Sequence, residues 1–197
     1  MSATPAALEV IDSRIQAAPA RLGPAEDAIT LVCIDGPAGS GKTTLAHQIR
    51  ERFGAHVVGM DELYAGWSGL LEVPGQIKDQ ILDPMAAGEQ GCYRRYDWHA
   101  GAFTEWVEVP RHALLVLEGC GAGSRVVEPY VGLLIWVSAP EELRLRRGLE
   151  RDGYALDPQW RAFMADEEVL YAREGVYDRA DLHLNAWGEL MNPRVDI

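Results

Sequence analysis

The chain has 197 residues, 48% hydrophobic and 24% charged, which suits one globular domain with a continuous core. Its 18 Lys and Arg stand against 30 Asp and Glu, a formal net charge of −12, and so it lacks the basic balance on which nucleic-acid binding depends. The three cysteines form no C-x-x-C, the five histidines have no ligand spacing, and no apolar run reaches about eighteen residues. A disulfide framework, a structural metal centre and a membrane span are therefore not expected. The N-terminus has no charged region leading into an apolar core, so a reducing cytoplasm is the expected compartment.

Residues 5–20 carry apolar positions at helical spacing (Leu8, Ile11, Ile15). Pro19 and Gly23-Pro24 close this N-terminal helical segment within residues 1–24. Ile29 to Asp35 (ITLVCID) is an apolar, β-branched run that predicts a strand. It leads directly into Gly36-Pro37-Ala38-Gly39-Ser40-Gly41-Lys42-Thr43, a match to G-x-x-x-x-G-K-[ST], and Thr44 to Phe53 then reads as a helix. In that context backbone N–H groups converge on phosphate oxygens and the helix N-terminus adds partial positive charge. Gly36 through Thr44 are thus candidate ATP-binding residues. Lys42 would reach the terminal phosphates, and the Thr43 hydroxyl would hold Mg²⁺.

Ala55 to Met60 predicts a second strand ending at Asp61, followed by a loop with Tyr64 and Trp67 among glycines. Gln76 to Ala87 reads as a helix closed by Gly88. Cys92 to Trp98 and Thr104 to Val109 alternate like strands, paired as a hairpin or held extended. Ala113 to Leu117 is a continuous apolar run, as in a strand buried on both faces, and ends at Glu118-Gly119. Val131 to Val137 is another. Pro140 opens a charged helix to about Arg151, Pro158 to Arg173 a further one, and Asp181 to Asn185 a last short strand. Strands alternating with helices predict one α/β domain over residues 1–197, with a parallel sheet of about five strands.

Ligands of such sheets bind at the carboxyl ends of the strands, where Asp35, Asp61 and Glu118 fall. Glu118 stands at the Walker-B position and is expected near Mg²⁺. Asp61 is a candidate base for an acceptor hydroxyl, or a second group at the metal. Acids at strand ends also cap turns, which is the plainer reading. Tyr93-Arg94-Arg95-Tyr96-Asp97-Trp98-His99 combines arginines and aromatics around one Asp, a pattern for stacking on and hydrogen bonding to a polar substrate, or simply an amphipathic strand. Arg144, Arg147 and Arg151 share one helical face (i, i+3, i+7), suited to closing over a transferring phosphoryl group. Arg146, off that face, suits surface pairing with Glu142 and Glu150.

Together these stretches resemble the uridine kinase and phosphoribulokinase-like group of P-loop kinases, which includes pantothenate kinases. Asp61-Glu62-Leu63-Tyr64 is similar to its D-x-[FY]-Y, Tyr96-Asp97-Trp98-His99 to its Y-D-[FWH], Val116-Leu117-Glu118-Gly119 to its Walker-B E-G, and Arg144 through Arg147 to Arg151-Asp152 to its R-x-x-R…R-D lid. The likeness runs from about Ile29 to Asn185, and Trp67, Trp98 and Trp106 look most like a divergent bacterial uridine kinase-like branch. It implies a three-layer P-loop NTPase fold with strand order 2-3-1-4-5, a substrate-binding insertion over 62–110 and an arginine-bearing lid over 140–157. It further implies ATP- and Mg²⁺-dependent transfer of the γ-phosphoryl group to a hydroxyl of a small metabolite, nucleoside-like by preference. Lys42, Asp61, Arg147 and Arg151 would then be catalytic, Thr43, Asp61 and Glu118 would serve the metal, and Tyr64, Arg95, Tyr96, Asp97 and His99 the substrate. Two alternatives stay open: a nucleoside monophosphate kinase, with Arg94-Arg95 gripping the acceptor phosphate, and a non-catalytic ATP-binding regulator. The expected partner is a small molecule, with neither nucleic acid nor membrane, and a homodimer is left open.

Overall fold

A computed structural model describes residues 2–192. Five parallel strands build its central sheet: β1 (Thr30–Asp35), β2 (His56–Gly59), β5 (Leu114–Glu118), β6 (Val131–Val137) and β7 (Leu182–Leu184). The strands β3 (Gly91–Asp97) and β4 (Ala102–Val109) form a separate antiparallel hairpin. The sheet runs β2-β5-β1-β6-β7. These chain-order numbers differ from the expected 2-3-1-4-5 because the hairpin takes two of them; counting only the sheet's own strands gives 2-3-1-4-5.

Period-two alternation sorts the sheet residues into two cores. Val32, Ile34, Val116, Leu133 and Ile135 pack on one face with α1 (Pro5–Ala17) and α2 (Lys42–Phe53). Leu31, Cys33, Leu115, Leu117 and Trp136 pack on the other with residues of the 62–110 segment and of the long C-terminal helix described below. Helices thus cover both faces, giving the three layers. Thr4 caps α1, accepting the Ala7 N–H, and Pro5 stands at its first turn. The helix buries Ala7, Ile11 and Ile15 and ends at Ala17, short of the 1–24 expected, while Leu8 only flanks the core.

The helix expected over Gln76 to Ala87 is instead α3 (Val73–Ile77), a π turn over Lys78–Leu82 and α4 (Asp83–Ala86). Pro84 has no N–H to donate and its ring crowds the carbonyl four residues back, so the turn before it widens. After β6 come α5 (Glu141–Asp152), α6 (Asp157–Glu174) and the short α7 (Val176–Arg179). Among the described residues no helix is long and apolar enough to cross a membrane.

Candidate active site

The phosphate loop joins the end of β1 to the start of α2, and the carboxyl ends of β1, β2 and β5 lie side by side. Asp35, the last residue of β1, is fully buried. Its carboxylate accepts the N–H groups of Gly36, Gly121 (3.1 Å) and Gly123 (2.7 Å) and the Tyr171 hydroxyl (2.9 Å). Burial pushes its pKa up and these donors oppose the shift. Asp35 is therefore a staple that ties the root of the loop to the chain after β5, and it does not line the cleft described below.

Lys42 is 6% exposed. Its Nζ donates to the Pro37 carbonyl at 3.0 Å and lies 3.7 Å from the Cys120 sulfur. Burial works against its charge, but Cys120, Glu118, Glu167 and Asp35 outweigh that and hold the ammonium above its usual range. The Thr43 hydroxyl neighbours the Glu118 carboxylate and favours its ionised form. Asp61 lies in the one-turn helix Met60–Glu62 that follows β2. Gly59 leaves room for the Asp61 carboxyl: a Cβ there would sit 2.6 Å from its Oδ1, and 3.7 Å from Glu118 Oε1, so the two acids flank the same point. Burial raises the pKa of both groups. For Asp61 the charge of Glu62 adds to the shift, and for Glu118 that of Asp61, while Lys42 and Arg151 work in the opposite direction. Hard oxygen donors at a phosphate loop fit Mg²⁺, which takes one or two protein oxygens and completes its shell with phosphates and water.

These residues open on a cleft of about 730 Å³ whose walls include Lys42, Thr43, Asp61, Tyr64, Glu118 and Arg151. A smaller recess of about 190 Å³ runs along Gly41, Thr43 and Thr44 to Arg147 and Arg151. Arg151 borders both. It forks onto Asp152 at 2.6 and 2.9 Å and stacks over Trp160 at 5.8 Å from the ring centroid. Arg147 instead donates to the backbone carbonyls of Gly39 (3.1 Å), Ser40 (3.5 Å) and Ala186 (3.4 Å), away from the acid pair. Arg144 does not face the cleft at all; it is buried against Glu167.

One end of the cleft is aromatic. Trp67 packs edge-on against Trp98 (5.6 Å), Trp160 (5.9 Å) and Phe163 (6.0 Å). The Trp98 indole N–H donates to the Asp61 carbonyl at 2.9 Å, so the turn of the hairpin is latched beside the Asp61 carboxyl. His99 also lines the cleft. Tyr64 does too, but it is 4% exposed and spends its hydroxyl on the Cys120 carbonyl at 2.9 Å. Three expected substrate residues do not line the cleft. Arg95 pairs with Glu62 (3.0 Å) and Glu105 (2.7 Å). Tyr96 backs Trp98 at 5.4 Å and Phe103 at 5.3 Å. Asp97 accepts the N–H groups of His99 (2.8 Å) and Ala100 (2.9 Å), closing the hairpin turn, and these donors hold its carboxyl below the usual range. Strand alternation and turn chemistry absorb all three, and they shape the turn that presents Trp98 and His99. Trp160 and Phe163 escape the sequence reading because they lie on the buried stripe of α6, where an aromatic looks like ordinary core.

No protein-family model matches the chain. It is 28% identical over 145 residues to a cytidylate kinase of Ignicoccus hospitalis, covering 74% of this chain and 78% of that one. In fold it is similar to a possible uridine kinase from Bacillus stearothermophilus, with TM-score 0.59 and 19% identity over 88% of this chain and 98% of that one. It is likewise similar to a D-glycerate 3-kinase from Cryptococcus neoformans, with TM-score 0.58 and 12% identity over 96% of this chain and 98% of that one. The chain has the P-loop kinase fold.

Proposed function

We propose that this P-loop kinase transfers the γ-phosphoryl group of ATP to a hydroxyl of a small ring-bearing metabolite, nucleoside-like by preference. One observation carries the reading: a single cleft joins the phosphate loop to two carboxylates and an aromatic wall, with its cationic side chains Lys42 and Arg151. The backbone N–H groups of Gly36 to Thr44 cradle the triphosphate, and Lys42 meets its terminal oxygens. Thr43 and Glu118 hold Mg²⁺, which neutralises phosphate charge when bound. Asp61 takes the proton of the acceptor hydroxyl as that oxygen bonds to the γ-phosphorus, the bridging P–O bond breaks and ADP leaves. Burial makes Asp61 a stronger base than an exposed carboxylate. Arg151, bordering both spaces, swings from Asp152 onto the transferring group. Arg147 keeps the loop carbonyls turned outward.

The likeness to cytidylate kinases favours a second reading, phosphorylation of a nucleoside monophosphate. Against it, the arginines that would grip an acceptor phosphate are engaged elsewhere: Arg94 with the Phe103 and Thr104 carbonyls, Arg95 with Glu62 and Glu105. ADP release with Mg²⁺-ATP and a panel pairing each nucleoside with its monophosphate, together with simple sugar and polyol alcohols, separates the readings. Turnover with an alcohol supports the first and turnover confined to monophosphates the second. ATP hydrolysis that no acceptor stimulates points to a nucleotide-binding regulator.

A further inference from the structure

One buried acid has entered so far only through its charge on Lys42 and its pairing with Arg144. Glu167, in the middle of α6, is 2% exposed. It does not line the cleft and meets the phosphate loop from behind. Its Oε1 accepts the Ala38 N–H and, at 3.3 Å, the Cys120 thiol, while Oε2 pairs with Arg144 Nη1 at 3.0 Å. The same Nη1 donates to the Ala38 carbonyl at 3.3 Å. Both polar groups of Ala38 are therefore held by one acid–base pair, its acid on α6 and its base on α5.

The next residue brings the helix closer still. Gly39 has φ +78°, and a Cβ there would lie 2.7 Å from the Arg144 carbonyl oxygen. The backbone of α5 thus abuts the loop at the point where Arg144 and Glu167 clamp it. The same helix carries Arg147 and Arg151. Among the described residues Arg144 Nε is buried without a partner, so the guanidinium depends on its Nη1 bonds for placement.

We propose that Glu167 is a positioning residue for the phosphoryl donor, holding the phosphate loop in register with the arginines of α5 through Ala38 and Arg144. The inference rests on the loop's reading as a triphosphate site, and the nature of the acceptor does not enter it. A loop whose N–H groups are aimed beforehand pays little ordering cost when the anion arrives. Without the clamp that cost falls on ATP binding.

The test is calorimetric titration of the full chain with Mg²⁺-ATP, with no acceptor present, on the wild type, Glu167→Gln and Glu167→Ala. Circular dichroism at the assay temperature and a melting curve establish that each variant is folded. Glu167→Gln keeps an oxygen for the Ala38 N–H but turns an NH₂ toward Arg144 in place of the ion pair, so its Kd should fall between those of the wild type and Glu167→Ala. Glu167→Ala should weaken binding by about tenfold or more, with an equal rise in KM for ATP and none in KM for the acceptor. A folded Glu167→Ala with unchanged Kd and KM for ATP overturns the proposal, even if its melting temperature falls, because a purely structural acid would behave that way. If Glu167→Ala does not fold, Glu167→Asp replaces it. That variant keeps the charge near Arg144 but draws back from Ala38, and an unchanged Kd there is equally fatal. A wild-type chain that binds Mg²⁺-ATP yet phosphorylates nothing would end the acceptor reading and leave this one standing.

Discussion

Asp61→Asn should separate activity from stability in opposite directions. Asparagine has almost the same shape, so the surroundings at Gly59 and Glu118 need not move. What disappears is a proton acceptor and a negative charge. Loss of a positioned base costs about 10²–10⁴ in turnover, or about 3–5 kcal/mol of barrier. The stability term has the other sign. Burial and Glu62 raise the Asp61 pKa, so the folded state holds the proton more tightly than the unfolded chain. As pH rises from the ordinary carboxylate range through the raised folded value, the wild type loses stability, and at neutral pH the ionised group is a net burden. A neutral asparagine removes it. The variant should thus melt at or above the wild-type temperature at pH 7 to 8, with the gap closing in acid. Turnover under saturating ATP and acceptor, Mg²⁺-ATP affinity and melting curves across pH are the measurements. Unchanged turnover would refute the base assignment, and a clearly lower melting temperature would refute the electrostatic argument.

Two further outcomes follow from the same geometry. Glu118 has a raised pKa, from burial first and from Asp61 as well, so protons and Mg²⁺ compete for it. Titrations of Mg²⁺ in the presence of ATP should show tighter binding as pH rises, and Glu118→Gln should both weaken the metal and flatten that dependence. Trp98→Ala removes the latch to the Asp61 carbonyl and part of the aromatic wall. It should raise the acceptor KM by about tenfold, the scale of one lost stacking and packing contact, while steady-state kinetics show KM for ATP within about twofold of wild type.

The donor half of the site was legible because its chemistry is local in sequence. A glycine loop between a β-branched run and a helix has one use, and the acids at the ends of the apolar runs 55–60 and 113–117 fall where parallel strands place ligands. The acceptor half was less legible, since strand alternation leaves open which face of a hairpin meets the cleft. Arg95, Tyr96 and Asp97 had the right composition but are spent on Glu62, on Phe103 and on the turn itself. Glu167 did carry a signal. Trp160, Phe163, Met164, Glu167, Leu170 and Glu174 form the buried stripe of α6, and an acid on an apolar stripe calls for a buried partner. That the partners would be Arg144 and Ala38, 23 and 129 residues away, is a matter of tertiary packing.

Among the described residues the hairpin pairs with no strand of the five-stranded sheet, and its ladder joins β3 to β4 alone. It reaches the reaction centre through its turn, where Trp98 meets the main chain of Asp61 and depends on no particular side chain there. On the proposed reading, the share of the acceptor wall carried by the hairpin can therefore drift apart from the donor site, while Trp160 and Phe163 share α6 with Glu167 and stay tied to it. Substitutions in the hairpin can redraw the acceptor pocket without breaking a ladder bond in the sheet or moving a group on the phosphate loop. On the proposed reading, this lineage could exchange one alcohol for another while inheriting its phosphoryl-transfer apparatus intact.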